Sequence, residues 1–176
     1  MNRQLNRFIL ILSCTLFPPL ALAHGGNGES GLVAGLLHPF TGLDHLLAAL
    51  ACGIWMKCRL EIPPDQGMGV FLLPLLAGML LGANGLTGLY LEGLLSATVV
   101  LLAVLLLPGV QLRRNLGIGL AASLALLQGL AHGGEIVGLS LEGSITALAV
   151  CISTGLLLAG GYVLASGFRK AAKTAF

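Results

Sequence analysis

Five apolar segments, at about 31–56, 68–85, 88–107, 116–133 and 143–167, fill most of this chain and are joined by short links. Each reaches or approaches the ~20 residues that a helix needs to cross a bilayer. The charges turn that pattern into a topology. Of nine Lys and Arg, Arg3 and Arg7 stand at the start. The remaining seven are Lys57, Arg59, Arg113, Arg114, Arg169, Lys170 and Lys173, and all fall within 57–67, 108–115 and 168–176. The alternate links hold none. Basic residues collect on the cytoplasmic side of membrane proteins, so five crossings that begin outside and end with a cytoplasmic C-terminus account for every one of them. Only 9% of the chain is charged, against ~25% in soluble domains, which excludes a soluble fold. The expected fold class is an all-α membrane protein, a bundle of five transmembrane helices forming a single domain over residues 24–176.

Residues 1–23 read as a cleavable signal peptide. Arg3 and Arg7 are its basic start, Phe8 to Leu16 its apolar stretch, and Ala21-Leu22-Ala23 its small-residue cleavage site. Cleavage there leaves His24 at the new N-terminus, where a free α-amino group and an imidazole can chelate a divalent ion together. An internal repeat is also visible. Aligning 67–107 with 117–157 pairs Gly88-Leu89-Tyr90-Leu91-Glu92-Gly93 with Gly138-Leu139-Ser140-Leu141-Glu142-Gly143. Each copy is a helical hairpin running the same way, so helices 2–3 and 4–5 form a parallel repeat, unlike the inverted repeats of many transporters. The first helix stands outside it. The four cysteines, at 14, 52, 58 and 151, show no CxxC spacing or disulfide framework.

The first segment carries the unusual chemistry, His38-Pro39-Phe40-Thr41-Gly42-Leu43-Asp44-His45. Ionisable groups inside a bilayer cost several kcal/mol, so they face a partner, a cavity or a pathway. Two imidazoles and a carboxylate are also a ligand set for nickel, cobalt, copper or zinc. Written at coiled-coil spacing, Gly31, Gly35, His38, Gly42, His45, Ala49, Cys52 and Met56 form one stripe of small residues and both histidines. His38 and His45 are two turns apart, ~10 Å along a straight helix, too far to share one ion easily. Either Pro39 and Gly42 break the helix, or the histidines are successive stations. The other polar groups gather at the same outer side. Glu92 opens the third helix, Gln128, His132 and Glu135 close the fourth, Glu142 opens the fifth, and Asn84 caps the second. Glu92 and Glu142 also suit the positive end of a helix dipole.

The stretch His38 to His45 resembles the HPxxGxDH signature of the HupE/UreJ family of nickel and cobalt permeases. The signal peptide, Leu-Glu-Gly at 91–93 and Ala-His-Gly-Gly-Glu at 131–135 are similar to that family as well. The resemblance implies uptake of nickel, or cobalt, across the bacterial cytoplasmic (inner) membrane to supply hydrogenase or urease. It implies that His38, Asp44, His45, Glu92, His132 and Glu135 are the functional positions, with Phe71 and the terminal His24 secondary. One departure is Gln128, where related sequences often carry a further His; Gln is a weaker nickel ligand.

The expected substrate is therefore Ni²⁺ or Co²⁺, with no tightly bound cofactor, and the expected partners are that ion and the lipid bilayer. A homo-oligomer is open, and nothing suggests a nucleic-acid partner or an enzyme. Two other readings fit parts of the pattern. One is an intramembrane metalloenzyme using the His/Asp/His cluster to bind zinc and activate water, although no nucleophile is legible. The other is a haem-binding or structural subunit with His38 and His132 as axial ligands.

Overall fold

The computed structural model describes residues 31–86, 91–135 and 140–174, without the side chains of Glu92, Glu135 and 168–174. The signal peptide and His24 lie outside the described residues. Within these limits the chain is all-helical, with no strand: α1 Leu32–Thr41, α2 Leu43–Trp55, α3 Pro64–Ala83, α4 Leu91–Leu105, α5 Arg114–Glu135 and α6 Leu141–Thr174. Three helices are long and apolar enough to cross a membrane, over Pro64–Ala83, Arg114–Gly134 and Leu141–Gly167. The pair α1 and α2, with the π-helical turn Met56–Leu60 that extends it, makes a fourth crossing if it is one span; Gly93–Leu105 is shorter. The protein is thus a multi-pass membrane protein.

The first apolar segment is not one straight helix. α1 and α2 meet at an angle of 77° around Gly42. The cause lies in the sequence. Pro39 has no N–H, which frees the carbonyl of Gly35 and strains the turn before it. In a bilayer a freed carbonyl must find a donor inside the protein, and the Ser153 hydroxyl on α6 lies 3.4 Å from Gly35 O. Gly42 then takes an extended conformation, closing α1 by donating to His38 O at 3.3 Å and opening α2 by accepting from the Leu46 N–H at 3.0 Å.

Where lipid replaces water, apolar burial gives helices little reason to associate, and close approach of small residues takes over. Two parallel seams are built this way. In one, a Cβ on Gly35 of α1 or Gly53 of α2 would strike Thr146 O or Leu158 O of α6. In the other, Gly78 and Gly82 of α3 press on Leu126 O and Leu130 O of α5, and Gly129 and Gly133 of α5 press on Leu75 O and Met79 O in return. These second-seam helices lead the two copies of the sequence repeat, and they lie side by side, parallel and nearly in register. Leu73, Leu156 and Val163 stand on the exposed outer faces.

The two ends of the bundle differ. At one, Glu61 with its positive φ of 53° ends the π-helical turn and Pro63-Pro64 starts α3, proline being suited to a helix's first turn. There the Arg59 guanidinium donates to Leu106 O and Leu107 O at 3.0 and 2.9 Å, satisfying carbonyls just past the end of α4. Arg114 reaches Gln66 at the same end. At the opposite end Asn84 caps α3 through Leu80 O at 2.7 Å, the role expected of it. Ser140 caps α6 by accepting from the Gly143 N–H at 3.0 Å, and the N–H of Gly31 donates to Thr146 Oγ1 at 2.7 Å.

Candidate metal centre

The stripe of small residues and histidines is buried from Gly35 through Met56, with His38 half-buried. The break at Gly42 changes what that stripe can do. On a straight helix the two imidazoles would stand ~10 Å apart; here their ring centroids are 5.7 Å apart. His132, near the end of α5, completes the group at 4.8 Å from His38 and 4.4 Å from His45. One ring nitrogen of each residue lies within 4.8 Å of the others. It is the one group of three or more ligand-type side chains found among the described residues. His45 and His132 are 6% and 3% exposed.

The tautomer of His45 follows from its neighbour. Its Nδ1 is 3.0 Å from Asp44 Oδ1. A carboxylate oxygen only accepts, so Nδ1 donates and Nε2 keeps its lone pair. That Nε2 is buried with no hydrogen-bond partner. A metal-binding imidazole commonly has this arrangement, a carboxylate fixing the ring through one nitrogen while the other faces the ion. Asp44 contacts the group through this hydrogen bond. It reaches the cluster through His45, and His132 takes the third place. Gly42 is needed beside this pair, since a Cβ there would lie 2.9 Å from His45 Nδ1 and 3.1 Å from Asp44 Oδ1.

Three imidazoles facing one another offer neutral nitrogen donors, the set that suits nickel, cobalt, copper or zinc and disfavours the oxygen-seeking Mg²⁺ and Ca²⁺. Metal–nitrogen bonds of ~2.0–2.1 Å would draw the rings slightly closer and leave coordination positions open.

Sequence reasoning singled out further residues besides these three histidines. Glu92 and Glu135 are the second residue of α4 and the last of α5, at the same end of the bundle, but their side chains, like His24, lie outside the described residues. Gln128 is buried one turn before His132 on α5. Phe71 packs in the hydrophobic core with Trp55, Leu75 and Leu102. Glu142 stands exposed in the first turn of α6, as a dipole partner would. Ser153 and Thr146 were not anticipated as supports of α1. The available signal for Ser153 was Pro39, four residues after a carbonyl it leaves unpaired.

Comparison with known proteins gives the family to which the sequence is similar. The family model described as HupE / UreJ protein matches residues 12–176. Protein HupE of Rhizobium leguminosarum bv. viciae is 32% identical over 133 residues, 73% of this chain and 68% of its own length. No solved structure matches.

Proposed function

We propose, from the fact that the chain belongs to the HupE/UreJ family, that it carries Ni²⁺, or Co²⁺, inward across the cytoplasmic membrane for metalloenzyme supply. The observation that carries this reading is the buried three-histidine face, with His45 Nε2 unpartnered and its other nitrogen held by Asp44. Such a face strips water from an ion by offering nitrogen donors in its place. In this reading residues 1–23 are a signal peptide and the mature N-terminus with His24 is periplasmic. Five segments cross the membrane, counting the bent α1–α2 pair and the shorter α4. Glu92 and Glu135 form a carboxylate mouth that lowers the cost of a dication on its way to His38, His45 and His132. The basic residues then mark the cytoplasmic end.

The test is accumulation of radiolabelled nickel by cells expressing the chain. Expressing cells should accumulate the ion and cells carrying an empty vector should not. Equal counts in the two would end the transport reading. Stoichiometric zinc retained by the purified protein through chelation would instead favour an intramembrane metalloenzyme, because a transport site must exchange its ion.

A further inference from the structure

α1 carries His38, yet little holds α1 in place. The main apolar core begins in α2 at Ala48 and takes no side chain from α1 among the described residues. Val33, Leu37 and Phe40 are exposed, and lipid covers such side chains as readily as another helix does. The extended residue Gly42 joins α1 to α2 at the 77° bend, so no continuous helix fixes the direction of α1. His38 is also the least buried of the three histidines. Its ring is the furthest from the others, at 4.8 and 5.7 Å against 4.4 Å between His45 and His132.

What α1 does meet is one face of α6. Thr146, Ala149 and Ser153, spaced three and four residues apart, share that face. Thr146 Oγ1 accepts from the Gly31 N–H at 2.7 Å, one of the donors that the start of a helix leaves without an intrahelical partner. A Cβ on Gly35 would lie 2.8 Å from Ala149 Cβ. The Ser153 hydroxyl has one proton and three carbonyls in reach: Ala149 O at 3.0 Å, Val150 O at 3.1 Å and Gly35 O at 3.4 Å. The first two belong to α6 and accept from the N–H four residues on, as helix carbonyls do. Gly35 O has no such donor, because residue 39 is proline. A carbonyl left unpaired inside a bilayer is costly, so the longest of the three contacts is the one where the proton is needed.

We propose that Ser153 and Thr146 are positioning residues for the metal centre. By holding the main chain of α1 against α6 they keep His38 in the cluster, and so set how many imidazoles an ion meets. This rests on the reading of the three histidines as a metal site. Neither residue belongs to the cluster itself; both act through α1. Without them α1 pivots at Gly42 and takes His38 away, while His45 on α2 and His132 on α5 stay.

The test is a double-mutant cycle on the Co²⁺ affinity of the purified full-length protein, read by cobalt titration. Ser153→Ala, and Thr146→Val, which keeps the shape of threonine and loses its oxygen, should each weaken cobalt binding about tenfold, the low end for loss of a group supporting a metal ligand. Ser166→Ala makes the same change on α6 where the hydroxyl bonds Tyr162 O of its own helix, and should leave the affinity unchanged. The deciding arm uses His38→Ala as the background. There Ser153→Ala should change the weaker affinity by no more than about twofold, because a support without its ligand has nothing to position. A general loosening of the bundle would instead weaken binding by the same factor in both backgrounds. Should Ser153→Ala fail to fold, Thr146→Val runs the same cycle. The proposal is overturned by parent-like affinity in Ser153→Ala and Thr146→Val, or by an effect that carries undiminished into His38→Ala. Failure of the metal reading is a separate result that takes the proposal with it: the parent protein would bind no cobalt, or His38→Ala would bind it as well as the parent does.

Discussion

His45→Ala is expected to abolish nickel accumulation, a loss of about 100-fold or more. Removal of a mere supporting group at a metal site already costs about 10–100-fold, and in the proposed function His45 is the ligand itself. It supplies a ring nitrogen that is both buried and unpartnered, and it stands within ring contact of both other histidines. Asp44→Asn should fall between this and the parent protein, at about 10–100-fold. The amide oxygen can still accept from Nδ1–H, so the ring keeps its tautomer but loses the charge that makes it a better donor. Glu142→Ala should stay within about twofold, as exposed substitutions usually do, because Glu142 sits at the start of α6 outside the cluster. Radiolabelled nickel in cells expressing each variant, with membrane protein levels matched, gives the ranking. Equal accumulation in His45→Ala and Glu142→Ala would sink the site assignment.

Gly133→Val is expected to damage stability and transport together. A Cβ at Gly133 would strike Met79 O and lie 2.8 Å from Met79 C and 2.9 Å from Ala83 N. These are backbone atoms and cannot swing aside, so α3 and α5 must separate. Overpacking of this kind costs about 1–3 kcal/mol, and here it displaces the helix segment that carries His132, the preceding residue. Gly119→Val makes the same change on the same helix where a Cβ meets nothing within 4 Å. It therefore carries the same cost in helix propensity and none in packing. Thermal unfolding in detergent should show Gly133→Val well below Gly119→Val, and uptake should follow. Unfolding of both at one temperature would mean that the seam does not hold α5 in place.

Much of this was legible before any coordinates. The apolar runs at 68–85, 88–107 and 116–133 lie within about four residues of the ends of α3, α4 and α5, because a membrane leaves the backbone little choice but to be helical. The stripe from Gly35 to Met56 announced its own burial, since small residues repeated at that spacing have a packing use. The meeting of His38 with His45 was only half legible. Pro39 and Gly42 signalled a break, but the sequence carries no angle, and the angle decides whether seven residues separate two sites or join one. The arrival of His132 could be argued only from its level in the membrane. Asp44 was the hardest to read. A carboxylate next to a histidine in sequence looks like another ligand, and only the 3.0 Å contact with Nδ1 reveals it as the group that orients the ring.

The two glycine seams divide the three-histidine site between them. His38 and His45 ride on the pair formed with α6, and His132 rides on the pair formed by α3 and α5. Each pair is held largely by main chain against main chain at its glycines. In the proposed transport reading, the grip on the ion is a pair of jaws with two teeth on one side and one on the other. In that reading a small slip of one jaw against the other would change the number of nitrogens on the ion without unfolding either, and an ion held by two imidazoles instead of three would be freer to move on.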